Sequence, residues 1–403
     1  MLFFSLQRVQ ALMNLKILKN VEIVFVKKSN KSRGNIKFSR TQIIVLVLVL
    51  FLVGFGCLMV YSASSYSAAH RYHNQYYFLI KQIVGAVIGA VCLLLFSFVD
   101  YHKFIKWRYV IIAVSVVLMI LVFIPGIGVE NYGAKRWIRL PGTTIQPSEI
   151  CKFVFVLYAA WYLGENYHKV KSFRGILPVL ILGGIFCLLI IAEPNMSITM
   201  CLGLVLLVML FVGGASAKQF ALVGVPALCM VPVLIAIEPY RMKRLVAFLD
   251  PWANPQSEGF QLIQSLYSIG SGGWFGVGLF NSRQKYLFLP FSESDFIFSI
   301  IAEEFGFVGA GLLLVVFAVL VIKLIKIGLG ACDRFGCLLC IGVAAVIAVQ
   351  TLINVAVVTG SIPPTGLPLP FISSGSTSLV VFMSAVGICL NVERQSRQNN
   401  ILS

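Results

Sequence analysis

The sequence predicts an all-α polytopic membrane protein with about ten transmembrane helices, and three observations support this fold class. Of the 403 residues, 59% are hydrophobic and only 12% are charged. The mean hydropathy is +0.92. A soluble domain carries roughly 25% charged residues, so this chain lacks the polar side chains that would cover a water-facing surface. Ten apolar runs of membrane-spanning length also follow one another along the chain.

The apolar runs set the expected domain organisation. They lie at about 42–62, 78–99, 109–125, 148–164, 175–192, 196–213, 219–238, 296–322, 336–358 and 371–391. Each run can cross the bilayer as a helix, in some cases a tilted one. We therefore expect a basic N-terminal tail at 1–40, a ten-helix membrane domain at 41–393 and a short C-terminal tail at 394–403. The N-terminal tail does not resemble a signal peptide, because its nine Lys and Arg are spread along its length.

The distribution of Lys and Arg predicts the orientation of the helices. If the N-terminus is inside, 21 of the 32 Lys and Arg fall on cytoplasmic segments and nine on outer segments, while Lys81 and Lys152 lie within spans. Cytoplasmic loops of membrane proteins are enriched in these residues. Both termini are therefore predicted to be cytoplasmic. The net charge of +17 is then explained by this surface, and we expect no nucleic-acid partner.

The cations on the outer side are clustered, which is the exception to this rule. Eight of the nine fall into three groups: Lys135, Arg136 and Arg139; Arg241, Lys243 and Arg244; Arg283 and Lys285. Such clusters indicate an anionic ligand, and a phosphate or pyrophosphate suits both the Arg fork and the Lys point charge. The alternative is that these residues are interfacial anchors that contact lipid headgroups. Charge alone leaves both interpretations open.

Two outer loops have distinctive sequences. The largest, between predicted helices 7 and 8, contains a short amphipathic pattern that predicts a helix at the outer interface. Its apolar face is Phe260, Ile263, Leu266 and Tyr267, its polar face is Gln261, Gln264, Ser265 and Ser268, and Gly270–Gly273 end it. The last outer loop, 359–378, is rich in Pro, Gly and Ser. An irregular backbone at membrane depth must pack against protein or line a watery cavity.

Ionisable residues within spans are costly and indicate function by default. Glu149 and Lys152 are three residues apart on one helix face and can form a pair. Glu303 and Glu304 lie within the eighth span, and Lys81 lies near the outer end of the second. A structural network of ion pairs is the alternative role for all of these residues.

Asp295 precedes the apolar run that begins at Phe296, so we place it in the first turn of a helix at the outer surface. The helix dipole and the free N–H groups there favour the ionised carboxylate. An ionised carboxylate on the same side as the cation clusters is a candidate general base. The alternative is a helix cap, which is a common role for Asp.

Several segments, taken in order, resemble the signatures of the SEDS family, which includes FtsW, RodA and SpoVE. The segments are Val60–Ser64, Gly133–Ile138, Gln146–Glu149 with Lys152, Leu249–Pro251, Gly259–Gln261, Arg283–Pro290, Ser294–Phe298, Ala302–Gly306 and Pro364–Phe371. The resemblance extends from about Gln42 to Arg397, and its first segment and the Arg283–Pro290 segment are more similar to FtsW than to RodA. Two positions depart from the family pattern. Asn195 follows Glu193–Pro194 where the family often has Asp, and Ser374–Thr377 stands where paired glycines are usual.

The resemblance implies a glycosyltransferase that polymerises lipid II into β-1,4 glycan strands on the outer face of the membrane and releases undecaprenyl pyrophosphate. In such an enzyme Asp295 would be the catalytic residue. We expect supporting or substrate-binding roles for Glu149, Lys152, Lys135, Arg136, Arg244, Lys285, Gln261 and Ser374. A lipid II flippase is the alternative from another class. It would need charged groups along a path through the midplane, whereas Lys81 and Lys152 are the only cations within the predicted spans.

The resemblance also implies partners, a cofactor and a location. A class B penicillin-binding protein would pack its membrane helix beside the enzyme, together with other division proteins. A divalent cation, Mg²⁺ or Mn²⁺, is commonly needed by the family, and Asp295 is its candidate ligand here. The expected location is the bacterial cytoplasmic membrane at the division septum, with elongation or sporulation as alternative roles.

Overall fold

The computed structural model describes residues 39–131, 134–140, 143–257 and 259–402. The predicted basic tail therefore lies almost entirely outside the described residues. The long helices are α1 (Arg40–Tyr72), α2 (Tyr77–Phe98), α3 (Lys103–Leu121), α4 (Pro147–Glu165), α5 (Phe173–Ala192), α6 (Met196–Gly213), α7 (Ala217–Ile237), α10 (Ile297–Leu329), α11 (Arg334–Val358) and α12 (Ser376–Leu402). Two shorter helices, α8 (Pro239–Leu249) and α9 (Phe260–Gly272), lie between α7 and α10.

The number of membrane crossings follows from the two ends of the helical domain. Nine helices in the described part of the chain are long and apolar enough to cross a membrane, and α4 is not among them. Glu149 and Lys152 lower the hydropathy of α4, although both side chains are buried. The Ser39 Oγ donates a hydrogen bond to Glu393 Oε1 (3.2 Å), so both ends of the domain lie on one side. A chain whose two ends lie on the same side crosses the membrane an even number of times. Helix α4 is therefore the tenth crossing, as the sequence predicts.

Close helix contacts hold the bundle together. Helix α11 is buried along most of its length, and α12 packs closely against α2. A Cβ atom at Gly89 of α2 would lie 2.5 Å from Met383 Sδ, and one at Gly387 of α12 would lie 2.4 Å from Leu93 O. Small residues allow such close approach of membrane helices. Helix α12 begins at Ser376, five residues later than the predicted run, because the Pro-rich segment before it has an irregular backbone.

Helix α10 is broken at Gly306, which has φ +69° and ψ −172°. The amides after the break, of Phe307 and Val308, donate to Gly273 O (2.9 Å) and Trp274 O (3.1 Å). The carbonyls before it, of Glu303 and Glu304, accept from the amides of residues 277 and 278. The loop at 273–278 thus replaces the helical hydrogen bonds that the break removes, which is a requirement for an interrupted helix in a membrane. The apolar pattern of the span did not predict this break.

The outer loop between α3 and α4 is a three-stranded antiparallel sheet that our sequence reasoning missed. Its strands are β1 (Gly128–Asn131), β2 (Ala134–Leu140) and β3 (Thr143–Ile145), in the order β1–β2–β3. The pairs Val129–Trp137 and Arg139–Thr144 fix the register. The dipeptide Pro141–Gly142 in the sequence was the available signal, since it marks a turn. The sheet matters because β2 carries Arg136.

The predicted amphipathic helix is confirmed as α9, and the two serines of its polar face are buried. The Ser265 Oγ donates to Val358 O (2.7 Å), and the Ser268 Oγ donates to Ser299 O (3.0 Å). Leu266 and Tyr267, on the apolar face, are exposed. This arrangement is the one expected where the surroundings are apolar, because the hydroxyls find partners only inside the protein.

Candidate active site

Asp295 lies two residues before α10, so the predicted placement in the first helical turn was wrong. The residue at the N-cap of α10 is Phe296, and no side-chain hydrogen bond caps this helix. The backbone carbonyl of Asp295 accepts a hydrogen bond from Asn354 Nδ2 (2.8 Å), which also donates to Leu367 O (2.7 Å). Helix α11 thus fixes the Asp295 backbone and leaves its carboxylate free of a capping role.

The surroundings of the Asp295 carboxyl raise its pKa to about 6. Burial is the largest cause, nearby Arg244 and Arg136 oppose it, and Glu293 adds to it. The sequence had suggested that a helix terminus would favour the ionised form, whereas desolvation outweighs that effect. A carboxyl group with a pKa near the working pH is well suited to general-base catalysis.

Arg136 and Arg244 come from different elements and lie close enough to Asp295 to shift its pKa. Arg136 Nε donates to Glu193 O (3.2 Å), and its Nη2 donates to Pro194 O. Arg244 Nη1 donates to Pro364 O (2.9 Å), and its guanidinium lies 4.6 Å from the centre of the Tyr240 ring. Among the described residues, neither guanidinium forms a salt bridge with a carboxylate. Each therefore keeps N–H donors that are available to an anion.

The last outer loop forms another wall of the site. Gly366 has φ +70°, and a Cβ atom there would lie 2.9 Å from Asp295 Oδ2, so glycine is required. Leu367, Leu369 and Phe371 are buried. Of the two surroundings expected for this irregular loop, protein or a watery cavity, these three side chains pack against protein.

The predicted Glu149–Lys152 pair forms, with Nζ 2.9 Å from Glu149 Oε1 and both side chains buried. The Ser378 Oγ donates to Glu149 Oε2 (2.8 Å), and Lys152 also donates to Gln350 Oε1. Gln350 Nε2 in turn donates to Pro368 O (2.8 Å). The pair thus connects α4, α11 and α12 to the loop that contacts Asp295. The Glu149–Lys152 pair therefore helps to hold the loop that adjoins the candidate active site.

Four other predicted residues have different surroundings. Lys285 is buried, with Nζ 2.5 Å from Phe280 O and 3.5 Å from Glu304 Oε1. Lys135 is exposed on β2. Gln261 Nε2 donates to Pro290 O (3.3 Å), and the Ser374 amide donates to Glu293 O (2.8 Å). Gln261 and Ser374 therefore support the segment that leads to Asp295, and Lys285 is directed towards α10.

The other ionisable groups of the spans have mainly structural contacts. The Glu303 carboxylate accepts from Ser268 Oγ (2.9 Å), Ser282 Oγ (2.6 Å) and the Arg283 amide (2.9 Å). Lys81 donates to Tyr77 on its own helix. These contacts favour the structural alternative for Glu303 and Lys81.

The turn between α5 and α6 lies beside Arg136. Burial raises the pKa of Glu193 to about 8, although the Ser148 hydroxyl and the Arg136 guanidinium oppose this rise. Asn195 Oδ1 accepts from the Ile198 amide (3.3 Å) and caps α6. Asn195, the departure from the family pattern, therefore acts as a helix cap in this chain.

Gln350 and Asn354 are site residues that our sequence reasoning missed. We considered only ionisable groups within spans, and these two amides are neutral. Their spacing of four residues within the apolar α11 was the available signal, because polar side chains at membrane depth need partners.

The side chains of the candidate active site could supply only part of the ligand set of a divalent cation. No group of three or more His, Cys, Asp or Glu side chains that could hold a metal occurs in the described part of the chain. Asp295 has two arginines and the carboxylate of Glu293 nearby. Mg²⁺ is commonly bound by one or two carboxylates together with substrate phosphates. The site therefore fits such an ion if the substrate supplies the other ligands.

Comparison with known proteins identifies the family. A profile of the FtsW, RodA and SpoVE family, described as cell cycle proteins, matches residues 42–398. The chain belongs to this family. It is 40% identical over 357 residues to a probable peptidoglycan glycosyltransferase FtsW of Geobacter sp. (strain M18), a match that covers 88% of this chain and 97% of the relative. It is 39% identical to the stage V sporulation protein E of Bacillus subtilis, over 90% and 99% of the two chains.

Solved structures of the same family have this fold. A chain of a peptidoglycan synthase complex that coordinates polymerization and crosslinking superposes with a TM-score of 0.73 at 28% identity, covering 90% of this chain and all of that one. The rod shape determining protein RodA of Thermus thermophilus gives a TM-score of 0.65 at 25% identity, over 89% and 98% of the chains. This FtsW/RodA/SpoVE member is thus a multi-pass membrane protein along essentially its whole described length.

Proposed function

We propose that this chain is a peptidoglycan glycosyltransferase that polymerises lipid II into β-1,4 glycan strands on the outer face of the bacterial cytoplasmic membrane. The observation that carries the proposal is Asp295, a carboxyl group with a pKa of about 6 beside two arginines that have no carboxylate partner among the described residues. A base and an anion-binding pair in one place match a reaction that deprotonates a hydroxyl group and displaces a pyrophosphate. The family and the names of its relatives support the same activity.

In the proposed mechanism, Asp295 accepts the proton of the sugar 4-hydroxyl of one substrate. The oxygen attacks the anomeric carbon of the second substrate, and the bond from that carbon to the pyrophosphate oxygen breaks. The electron pair leaves with the pyrophosphate, and the α-linkage becomes a β-linkage by inversion. Arg136 and Arg244 stabilise the negative charge that develops on the leaving group. The proton then passes from Asp295 to solvent or to the released pyrophosphate.

Mg²⁺ or Mn²⁺ would be held by Asp295 and the substrate phosphates, and such an ion neutralises phosphate charge when it is bound. We further propose a class B penicillin-binding protein as the partner, which contributes a membrane helix beside the bundle, and other division proteins at the septum. The peptidoglycan synthase complex among the structural relatives supports the first of these partners. The FtsW names among the relatives support a role in division.

The Asp295→Asn variant tests the proposal. It keeps the size of the side chain and removes the proton acceptor, so polymerisation of labelled lipid II should fall by about 10²–10⁴-fold. Glu238→Gln is the matched control, because Glu238 is an exposed carboxylate at the start of α8. It should retain full activity. Near-normal strand synthesis by a folded Asp295→Asn variant would contradict the proposal, and lipid II transfer across vesicles without strand synthesis would indicate a flippase.

A further inference from the structure

A second group of polar side chains surrounds a cavity of about 300 Å³ at the outer end of α1. One side of the cavity is the end of α1, and the other is the segment 285–293 that leads to Asp295. The apolar part of its wall lies at 287–291. Its polar lining consists of Ser67, His70, Arg71, Lys285, Ser292 and Glu293.

The cations of this cavity are placed to bind an anion. Lys285 is 5% exposed, and its ammonium uses two of its three donors on Phe280 O and Glu304 Oε1. The Arg71 side chain is exposed and lines the cavity, and its charge opposes the rise that burial causes in the pKa of Glu293. A buried cation with a spare donor and an exposed guanidinium together suit a phosphate group.

Two residues in the apolar wall of the cavity have a strained backbone conformation. Leu287 has φ +68° and Phe291 has φ +56°, a conformation that non-glycine residues rarely adopt. Strain of this kind persists where the surroundings enforce it, and it concentrates at binding and catalytic sites. Hydrogen bonds from the Leu289 amide to Gln284 O (2.9 Å) and from the Ser294 amide to Phe291 O (3.0 Å) fix the segment.

The cavity adjoins the candidate active site through Glu293 and Ser294. Glu293 raises the pKa of Asp295, its carbonyl accepts from the Ser374 amide (2.8 Å), and the carbonyl of Ser294 accepts from Ser373 Oγ (2.6 Å). The cavity cations come from α1 and the 285–293 segment, whereas Arg136 and Arg244 come from β2 and α8. The cavity cations therefore lie beside Glu293, whereas Arg136 and Arg244 lie beside Asp295, two residues further along the same segment.

The proposed reaction requires two pyrophosphates at the same time. The displaced one gains negative charge and suits Arg136 and Arg244, which have no carboxylate partner within the described residues. The other stays attached to the substrate whose hydroxyl attacks, and it lies two sugar rings from that hydroxyl. Its charge does not change, so it suits cations that are already partly balanced by Glu304 and Glu293.

We propose that the cavity between the end of α1 and residues 285–293 binds the pyrophosphate of the acceptor substrate through Arg71 and Lys285. This inference rests on the proposed function and assigns the second substrate position of the same site. The two cation groups would then hold the two lipid-linked substrates on opposite sides of Asp295.

Binding of a lipid II analogue that lacks the sugar 4-hydroxyl tests the proposal, because this analogue cannot be polymerised. Full-length protein in lipid nanodiscs should bind two molecules. The Arg71→Gln variant should lose one of them or bind it about tenfold more weakly, as expected for one charge-assisted contact. Arg244→Gln should weaken the other, and the double variant should weaken both.

Arg283→Gln is the matched control, because Arg283 is an exposed cation of the same outer loop that does not line the cavity. It should bind two molecules as wild type does, and thermal unfolding should show that every variant is folded. In the polymerisation assay, Arg71→Gln should raise KM for lipid II about tenfold with little change in kcat. Two unchanged sites in Arg71→Gln, or a single site in wild type that only Arg244→Gln weakens, would overturn this inference and leave the proposed function standing. No binding by wild type would overturn both.

Discussion

At the scale of single residues, the chemistry of Asp295 depends on contacts from distant parts of the chain. Asn354 of α11 holds its backbone carbonyl, Gly366 leaves room for its carboxylate, and Arg136 and Arg244 lower its pKa against the effect of burial. Without the two arginines, burial would keep the carboxyl group protonated over a wider pH range. The resulting pKa of about 6 leaves the base mostly ionised at neutral pH.

The pKa of Asp295 predicts the pH dependence of polymerisation. Only the ionised carboxylate accepts a proton, so kcat should be constant above pH 7 and fall as the pH drops through about 6, by tenfold for each further unit. Initial rates at saturating lipid II between pH 5 and pH 8.5 measure this profile. A rate that stays constant down to pH 5 would show that Asp295 is not the base.

The same pKa predicts a pH-dependent effect on stability. Because the pKa of Asp295 is raised above the usual 3.8, ionisation disfavours the folded state, and the stability present below pH 4 is lost as the pH rises through about 6. Asp295→Asn should therefore unfold at a higher temperature than wild type at pH 7.5, by about 2–4 °C for each kcal/mol gained. The difference should vanish near pH 4. An equal difference at both pH values would contradict the raised pKa.

At the scale of elements, the broken helix α10 and the Glu149–Lys152 network position the site. The break at Gly306 allows the loop at 273–278 to pair with α10 and to hold the carbonyls of Glu303 and Glu304. The network on the other side fixes the loop that contains Gly366 through Gln350 and Pro368. These contacts hold α10 and the loop that contains Gly366, the two parts of the chain that adjoin Asp295.

Replacement of Gly306 should disrupt the break. A Cβ atom there would lie 2.4 Å from Gly276 N, and φ +69° is strained for any other residue. Gly306→Ala should lower the free energy of unfolding by about 1–3 kcal/mol and reduce activity. Gly311→Ala in the same helix is the control, because no atom lies within 4 Å of its Cβ position, and it should be neutral or slightly stabilising. Equal unfolding temperatures for the two variants would argue against the strained break.

The effects of replacing Glu149 and Lys152 on the free energy of unfolding should be strongly coupled. Removing one partner leaves an uncompensated charge among buried groups, so Glu149→Gln or Lys152→Met alone should destabilise the protein by about 3–5 kcal/mol. The double variant should cost clearly less than the sum of the single changes. A double-mutant cycle of unfolding free energies measures this, and simple additivity would mean that the two groups do not interact.

At the scale of the whole molecule, the even number of crossings places all candidate site residues on one side. The Ser39–Glu393 hydrogen bond joins the two ends of the domain, and Asp295, Arg136 and Arg244 all lie in segments that connect helices at the opposite side. The excess of Lys and Arg on the side of the termini makes that side cytoplasmic. A substrate that carries its sugars outside the cell can therefore reach Asp295.

Labelling of single cysteines tests this topology. In a variant that lacks the ten native cysteines, Asn74→Cys and Ser257→Cys should react with an impermeant thiol reagent added outside cells. Ser172→Cys and Lys218→Cys should react only after the membrane is permeabilised. All four positions are exposed, so accessibility is matched. Labelling of Ser172→Cys from outside intact cells would contradict the ten-crossing topology.

Four features could be predicted from the sequence alone: the fold class, the orientation, the amphipathic helix α9 and the contact between Glu149 and Lys152. These properties follow from composition and from spacing along one helix, which a single chain displays directly. The sequence also indicated Asp295 and the outward cations, because charges at a membrane boundary are conspicuous against apolar surroundings.

How these residues act depends on contacts that form only in the folded protein. The tertiary structure separated Lys285 from the Arg136–Arg244 pair by directing its ammonium to Glu304, and it brought Asn354, Gly366 and Asp295 together from three segments. It also set the pKa of Asp295, since burial depends on every neighbouring element. Helix periodicity specifies which residues share a face of one helix. Which faces meet is decided by packing between helices that are far apart in the sequence, and the candidate active site is built from such contacts.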